Sequence, residues 1–346
     1  MTTAFDSFES KPSTTETGHA ASRATYKNPI LDCDFPDPAV IAAPDGFYYA
    51  YATQTLRDGK WINIQVARSQ DLIHWEHLGD ALPEKPAWAK QTQDLWAPYV
   101  LHDGERYLMY YSATHDACQD SQRGHCLAVA TSDSPAGPFV DMGMPLLLGV
   151  RFEFIDPMVL DDPATGKTYL YWGSGFQPIR VQELGEDRMS FAPGSSPIEL
   201  IWPNPIPGAF PRLVEAAWVI RRDDFYYLFY SGDNCCGPDA EYGVMVARSA
   251  SPTGPFETLE EARGVPHSLM LHKSERWLAP GHNSIVTDKG GHTWIVYHAI
   301  DVNKPRQRQQ DEINSRRILL IDRIDWRDGW PFVGTPSDGP QPAPAV

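Results

Sequence analysis

The stretch "FPDPAVIAAPDGFYYAYAT", from Phe35 to Thr53, places an aspartate between two prolines at the head of an apolar segment. The segment turns at "APDG" and returns as alternating tyrosines, a pattern typical of a β-hairpin. A single hairpin of this kind does not identify a fold. Its recurrence along the chain would decide the architecture, because regular repeats of this kind build propellers and solenoids.

The tyrosine-rich strand recurs five times along the chain. Its copies are "FYYAYAT", "RYLMYYSAT", "TYLYWGS", "FYYLFYSG" and "HTWIVYHA", and Tyr49, Tyr107, Tyr169, Tyr227 and Trp294 align at spacings of 58, 62, 58 and 67 residues. Each copy follows a turn and a short apolar strand; these strands begin "DPAVI", "WAPYV", "DPMVL", "EAAWVI" and "HNSIV". Three similar stretches follow, "IQVARSQDLIHWEHLG", "CLAVATSDSPAGPFVDMG" and "YGVMVARSASPTGPFETLE", and indicate the outer strands of the same module.

Roughly 60 residues of short antiparallel strands, repeated five times, predict an all-β, five-bladed β-propeller. The strands alternate with period two, and 31 prolines and 26 glycines leave few windows for a helix. We expect a single domain over residues 27–334, with a flexible polar segment at 1–26 and a flexible proline-rich tail at 335–346.

The composition limits the kinds of partner. The net charge of −16 disfavours nucleic acids and anionic membranes, whereas a neutral carbohydrate fits. Residues 1–25 lack the basic and apolar regions of a signal peptide, which predicts a cytoplasmic protein unless a leader has been removed.

The five cysteines match no zinc spacing and indicate scattered thiols, although Cys118 and Cys126 could form a loop disulfide and Cys235 and Cys236 a strained one.

The first strand of a propeller blade lies nearest the axis, so the residues that begin the five first strands should meet at one mouth of the channel. They are Asp37, Trp96, Asp156, Glu215 and His282. A single acidic residue before a strand is usually a solvated strand end, but three carboxylates in one cleft repel one another and indicate chemistry. His282 is either a core histidine or the holder of a cation or water, and Trp96 is either core packing or a sugar-stacking wall.

The loops that follow the tyrosine strands should overhang this mouth, because second strands return to the end that first strands leave. These loops are longer than the turns at the other end, as functional loops tend to be. Their aromatic residues Trp61, Trp172 and Phe176 are therefore candidate substrate contacts.

The motifs "PDPAV", "LWAPYV", "FIDPMV", "GHNSIV" and "RRILLIDRIDWRDGWPFV", with the Glu215 strand, resemble the five-bladed propellers of glycoside hydrolase family 43 over about residues 27–334. That family contains arabinofuranosidases, arabinanases and β-xylosidases. The resemblance implies that Asp37 is the general base, Glu215 the general acid and Asp156 the group that tunes and orients the acid. It also implies that Arg317 contacts the sugar, whereas its neighbour Arg316 is expected to be solvated.

The resemblance further implies substrate-binding positions at Trp96, Ala97 and Ile155, an axial ion, often calcium, held with the help of His282, and no organic cofactor. One departure concerns the acid: many members have Gly and Pro after it, whereas Ala216 and Ala217 stand here. The local shape of that subsite is therefore open.

We expect an inverting, exo-acting α-L-arabinofuranosidase, which uses one protonated and one ionised carboxyl group. A β-xylosidase is the second expectation, although many of these carry a C-terminal β-sandwich for which this sequence leaves no room, and an endo-arabinanase is the third. Retaining fructan-acting propellers usually have Arg before the middle aspartate, where Ile155 stands here. A non-catalytic sugar-binding propeller needs no carboxylate trio. No phosphate loop, "GxSxG" or "HExxH" motif occurs.

Overall fold

A computed structural model of the chain describes residues 24–117, 124–309 and 312–346. It forms the five-bladed β-propeller that the repeat predicts, with each blade a small antiparallel sheet. The predicted apolar and tyrosine-rich stretches are the first and second strands of every blade. Residues 1–23, most of the predicted flexible head, lie outside the described residues, as does Cys118.

The strands follow one another in chain order around the ring. Before blade 1 comes β1 (Thr25–Tyr26). Blade 1 contains β2 (Ala39–Ala42), β3 (Tyr48–Ala52), the hairpin β4 (Thr55–Arg57) and β5 (Lys60–Ile62), β6 (Gln65–Ser69) and β7 (Glu76–Asp80). Blade 2 contains β8 (Leu95–His102), β9 (Tyr107–Thr114), β10 (His125–Ser132) and β11 (Val140–Asp141). Blade 3 contains β12 (Met158–Asp162), β13 (Lys167–Trp172), β14 (Ile179–Leu184) and β15 (Ile198–Ile201).

Blades 4 and 5 depart from the four-strand pattern. Blade 4 contains β16 (Val214–Arg222), β17 (Phe225–Gly232), β18 (Gly243–Ser249), β19 (Glu257–Thr258), the short helix α1 (Leu259–Arg263) and β20 (Leu269–Leu271), which also pairs with β18. Blade 5 contains β21 (Trp277–Thr287), β22 (Thr293–Asp301), the hairpin β23 (Arg306–Gln309) and β24 (Glu312–Ser315), and β25 (Ile318–Arg323). The chain ends with β26 (Asp325–Arg327), β27 (Trp330–Phe332) and β28 (Gln341–Pro342).

The second strands are buried on both faces. All eight residues of β9 and all nine of β22 are buried, so the alternation predicted for these strands is absent. A second strand lies between the first and third strands of its blade, and the neighbouring blades cover its two faces. This position accommodates the aromatic and β-branched side chains that identified the repeat.

The N-terminal segment completes blade 5, whose sheet has three strands of its own. Leu31 forms a β-bridge with Leu319, and the Ile30 amide donates to the Leu319 carbonyl. The Asn28 side chain acts like a strand backbone: its Nδ2 donates to the Ile321 carbonyl and its Oδ1 accepts from the Ile321 amide. The first described residues therefore close the ring.

The proline-rich tail is packed, contrary to the prediction of a flexible end. β28 pairs with β1, and the Ala345 amide donates to a carboxylate oxygen of Asp288 at 2.9 Å. Buried acceptors on blade 5 fix the tail even though its prolines donate no backbone hydrogen bonds. The single helix of the described residues has five residues, far too few to cross a bilayer.

Candidate active site

Each blade has a non-glycine residue in the left-handed region near the head of its first strand. These residues are Asp37, Ala97, Asp156, Ala216 and His282, with φ between 46° and 58°, and blade 5 has a second one, Ala279. The ladder shifts register beside them in blades 2, 4 and 5, as in a β-bulge. Strained backbone that recurs at one phase of a repeat is typical of a functional site.

The bulges show that the predicted alignment of the repeat is wrong by one residue in blades 2 and 4. Ala97 and Ala216, rather than Trp96 and Glu215, are the structural counterparts of Asp37. Glu215 lies one residue earlier, at the position that Trp96 and Ile155 occupy in blades 2 and 3. The sequence comparison missed the offset because the extra residue of a bulge looks like an ordinary change in spacing.

Side chains from one blade hold the left-handed residues of the next. The Ala97 amide donates to Thr53 Oγ1 at 2.8 Å, and the His282 amide donates to Ser231 Oγ at 2.9 Å. Across the ring closure, the Asp37 amide donates to His298 Nδ1 at 3.1 Å. Thr53, Ser231 and His298 each stand four residues after the aligned aromatic residue of their blade. The repeat therefore positions the site as well as the strands.

A cavity of about 320 Å³ at this mouth gathers most of the predicted site residues. Its lining includes Asp37, Trp96, Ile155, Asp156, Phe176, Glu215, His282 and Arg317. The indole of Trp172 lies elsewhere, fully buried beside Phe154 and Phe191, so it does not face a ligand in this cavity. Ala97 is also buried outside the lining, where its amide anchors Thr53.

Asp37 is surrounded by donors and positive charge. Its Oδ1 accepts from Arg317 Nη1 at 2.7 Å, and its Oδ2 accepts from Thr53 Oγ1 at 2.6 Å. Burial by itself would raise the pKa of Asp37. The Arg317 guanidinium and the Thr53 hydroxyl outweigh burial and hold the pKa well below its usual range. Asp37 is therefore a carboxylate at neutral pH.

Glu215 occupies a different environment. Tyr242 donates its hydroxyl to Oε1 at 2.6 Å, and Ser174 donates to Oε2. Burial raises the pKa of Glu215 to about 7 despite these two hydrogen bonds, and the negative charge of Asp37 acts in the same direction. A group with this pKa holds its proton in neutral or mildly acidic solution and can release it.

Asp156 connects the other two carboxyl groups. Its Oδ2 accepts from the Ala216 amide at 3.0 Å, directly beside Glu215. Burial, together with the charges of Glu215 and Asp37, raises the pKa of Asp156 well above its usual range. The three carboxyl groups therefore form one electrostatic cluster, in which Asp37 ionises first and the Asp156–Glu215 pair retains protons.

Comparison with known proteins identifies the family of the chain. Residues 26–331 match glycosyl hydrolases family 43. The chain belongs to this family. It is 30% identical over 318 residues to "Probable arabinan endo-1,5-alpha-L-arabinosidase A" of Aspergillus flavus, a match that covers 87% of this chain and 91% of that protein.

Two further family 43 relatives are informative. "Extracellular exo-alpha-(1->5)-L-arabinofuranosidase ArbA" of Cellvibrio japonicus is 27% identical over 320 residues, which cover 87% of this chain and 86% of that protein. A crystal structure of a thermostable family-43 glycoside hydrolase superposes with a TM-score of 0.74 at 28% identity and covers 93% of this chain and all of the other. Both matches cover more than four fifths of this chain.

His282 lies between two carboxyl groups of this cavity. Its Nδ1 is 3.4 Å from Asp37 Oδ1 and 3.8 Å from Asp156 Oδ2, and burial lowers its pKa to about 4. Within residues 24–117, 124–309 and 312–346, no group of three or more His, Cys, Asp or Glu side chains is arranged to hold a metal. The residues therefore do not fit a calcium ion with direct protein ligands, since calcium takes six to eight oxygens. The axial ion remains a prediction.

A second cavity of about 580 Å³ adjoins the first. Thr53, Trp96, Cys236 and Arg317 line both. Trp61 of the β4–β5 hairpin lines the second cavity, as predicted for the overhanging loops, and so does Gln309 of the β23–β24 hairpin. The cavity with the three carboxyl groups is thus one part of a longer cleft across the mouth.

Sequence reasoning missed several residues of this site. Thr53 and His298 could have been found from their shared repeat position, whereas nothing in the pattern pointed to Ser174, Tyr242 or Cys236. The position of Tyr242 depends on Gly281. A Cβ added to Gly281 would lie 2.1 Å from the Tyr242 ring, so only glycine at position 281 leaves room for that ring.

The structure also shows the surroundings of Arg316 and the state of Cys235 and Cys236. Arg316 is largely buried rather than solvated, because the N-terminal segment brings Asp32 to its guanidinium. Cys235 and Cys236 are free thiols. The Cys118–Cys126 pairing stays a prediction, because Cys118 lies outside the described residues.

Proposed function

We propose that the protein is an inverting hydrolase of α-1,5-linked L-arabinofuranosyl chains that releases L-arabinofuranose from arabinan and arabino-oligosaccharides. The observation that carries the proposal is the pair of opposite pKa shifts in one cavity, well below the usual range at Asp37 and up to about 7 at Glu215. Inverting glycosidases need one ionised and one protonated carboxyl group across the scissile bond. The names of the A. flavus and C. japonicus relatives support the arabinofuranosyl substrate.

In this proposal Asp37 acts as the general base. It takes a proton from a water molecule that attacks the anomeric carbon, and Arg317 and Thr53 keep it ionised and oriented. Glu215 acts as the general acid and gives its proton to the departing glycosidic oxygen. Asp156 is a positioning residue, because it binds the amide that follows Glu215 and interacts with its charge.

The walls of the cavity suit a sugar ring. Trp96 and Phe176 present aromatic surface, and Phe176 is 57% exposed, which is high for a phenylalanine in a folded domain. Aromatic faces pack against the C–H surfaces of sugars, whereas Arg317 and Asn234 supply polar contacts. Trp96, Phe176 and Arg317 are therefore the proposed substrate contacts, with Ile155 as a smaller apolar wall.

Internal cleavage of arabinan is the second candidate, for two reasons. The second cavity continues the cleft beyond Trp96 and Arg317, and the A. flavus relative is named as an endo-acting enzyme. An exo-acting enzyme releases arabinose from the first turnover, whereas an endo-acting enzyme first shortens arabinan to oligosaccharides. Product lengths at low conversion therefore distinguish the two modes.

The substrate class and stereochemistry need separate assays. We expect turnover of aryl α-L-arabinofuranoside and linear arabinan to exceed that of aryl β-D-xyloside, and NMR of the first product to show inverted anomeric configuration. Preference for the xyloside would make the protein a β-xylosidase, and retention would overturn the inverting mechanism. Binding of arabino-oligosaccharides without turnover would indicate a sugar-binding propeller.

The axial cation and the location of the protein complete the proposal. A cation beside His282 would need water for most of its ligands, because no group of three or more His, Cys, Asp or Glu side chains is arranged to hold a metal in the described residues; elemental analysis of wild-type protein and His282→Ala tests whether one is present. ArbA is named as extracellular, and arabinan is too large to cross a membrane, which favours secretion over the cytoplasmic location expected from residues 1–25. Assay of culture medium against cell lysate of the source organism tests this.

A further inference from the structure

The pair Cys235–Cys236 lies in the cleft without a role in the proposed hydrolysis. Cys236 lines both cavities beside Arg317, Thr53 and Trp96, and it is exposed. Cys235 lines the smaller cavity and packs against the cluster that contains Tyr242. A thiol at the junction of the two cavities would therefore meet any molecule that enters the cleft.

The loop that carries this pair is held in place. The Gly237 amide donates to Ser315 Oγ at 2.9 Å, and the Asn234 carbonyl accepts from the Glu241 and Tyr242 amides at 3.0 and 3.1 Å. Tyr242, at the end of the loop, binds Glu215. The sulfur of Cys236 thus has a defined position relative to the acid and Arg317.

The surroundings of Cys236 favour its thiolate. A hydrogen bond from Cys235 lowers the pKa of Cys236 to about 6; the partial burial of this exposed residue and the charge of Asp37 oppose the shift, whereas Arg317 and Arg306 support it. Cys33 differs, because burial raises the pKa of its thiol. Since the thiolate is the nucleophile in disulfide exchange, the two cysteines should react very differently.

We propose that Cys236 is a covalent modification site in the substrate cleft, which takes a low-molecular-weight disulfide of the glutathione class and thereby blocks hydrolysis. The Cys236 thiolate attacks one sulfur of the disulfide, a new S–S bond forms, and the original S–S bond breaks. The leaving thiolate takes a proton from solvent, so Cys236 is oxidised and the small disulfide is reduced. The attached group then fills the junction of the two cavities.

Incubation with glutathione disulfide, followed by peptide mass analysis, tests the site directly. We expect a glutathionyl adduct on Cys236 in wild-type protein and in Cys33→Ser, and none on Cys33. In Cys235→Ser the adduct should persist, because no neighbouring thiol can displace it. Absence of an adduct on Cys236 in both wild-type protein and Cys235→Ser would overturn the proposal. This readout does not depend on which sugar the enzyme cleaves, so it separates this proposal from the proposed function.

Activity supplies the second readout, expressed as the treated rate over the untreated rate of the same variant. We expect this ratio to fall at least about tenfold in wild-type protein and Cys33→Ser, a change of about 1.4 kcal/mol in barrier, and to recover with dithiothreitol. Cys236→Ser and Cys236→Ala, checked for folding by circular dichroism, should have a ratio close to one, because treatment with glutathione disulfide should not change their rates. Full modification of Cys236 without loss of rate, or equal inhibition of these two variants, would contradict the blocking role.

Discussion

Asp156 is the carboxyl group whose chemistry depends most on its neighbours. It accepts the amide that follows Glu215, and the charges of Glu215 and Asp37 raise its pKa. Two like groups that interact strongly lose their protons in two steps that belong to the pair. The second proton of the Asp156–Glu215 pair dissociates at higher pH than the proton of Glu215 would alone, because the other carboxyl group of the pair is already negatively charged.

Asp156→Asn should therefore move the basic limb of the pH–rate profile to lower pH. The asparagine oxygen can still accept the Ala216 amide, so the change removes charge and largely keeps geometry. We expect the wild-type basic limb near the Glu215 pKa of about 7 and the mutant limb below it. Profiles measured over a wide pH range, with circular dichroism as the folding control, check this; coincident basic limbs would deny Asp156 its role.

The residues at the heads of the first strands are held by hydrogen bonds between neighbouring blades. Thr53, at the end of β3 in blade 1, donates to Asp37 and accepts the Ala97 amide of blade 2. One hydroxyl thus fixes the base and a strained residue of the next blade. Ser231 binds the His282 amide in the same way, and His298 binds the Asp37 amide. The proposed catalytic mouth and the contacts between blades share these groups, so a substitution that disrupts one should disrupt the other.

Thr53→Val tests this coupling, because it removes the hydroxyl and keeps the volume. The variant leaves the Ala97 amide buried without an acceptor, which typically costs about 1–3 kcal/mol of unfolding free energy. We expect this loss together with reduced activity, since Asp37 loses a hydrogen bond that orients it. Thr53→Ser keeps the hydroxyl and serves as the control. Denaturant unfolding and initial rates check both, and a Val variant that matches wild type in stability would contradict the assigned contact.

At the scale of the whole molecule, the ring is closed by residues from the two ends of the described chain. Tyr26 and Asn28 bind the Ile321 backbone, Leu31 bridges to Leu319, and the Phe35 amide donates to the Arg317 carbonyl. Arg317 in turn binds Asp37. The closure therefore lies directly beside the proposed base, and loss of the closing contacts should loosen the site.

Asn28→Ala should destabilise the propeller by about 1–3 kcal/mol, because it leaves the buried Ile321 amide without its acceptor, whereas the Ile321 carbonyl still accepts from the Tyr26 hydroxyl. Asn303→Ala is the control, since the side chain of this exposed asparagine donates to Asp301 within its own turn. Denaturant unfolding curves measure both changes. Equal midpoints for Asn28→Ala and wild type would show that the ring does not depend on this closure.

The repeat in the sequence was sufficient to predict the propeller and the mouth that gathers Asp37, Asp156 and Glu215. Their order, spacing and turn chemistry are local features, which sequence alone displays. Tyr242 and Ser174 could not be predicted, because their contacts with Glu215 depend on how separate loops pack. Trp172 was misplaced because an aromatic residue at the end of a strand has the same appearance whether it faces a cleft or the core.

The proposed roles of Glu215 as acid and Asp37 as base predict different dependences of the rate on the leaving group. Proton donation matters most for a poor leaving group such as a sugar. Glu215→Ala should therefore nearly abolish arabino-oligosaccharide cleavage and spare much more of the activity on an aryl arabinofuranoside with an acidic phenol. Asp37→Ala should suppress both similarly, by several kcal/mol of barrier, because every substrate needs the activated water.

The deciding measurement is the ratio of the two rates in each variant, with folding confirmed by circular dichroism. We expect a ratio that shifts strongly towards the aryl substrate in Glu215→Ala and stays close to wild type in Asp37→Ala. The opposite pattern would reverse the two roles, and wild-type rates in both variants would show that this mouth of the propeller is not the active site.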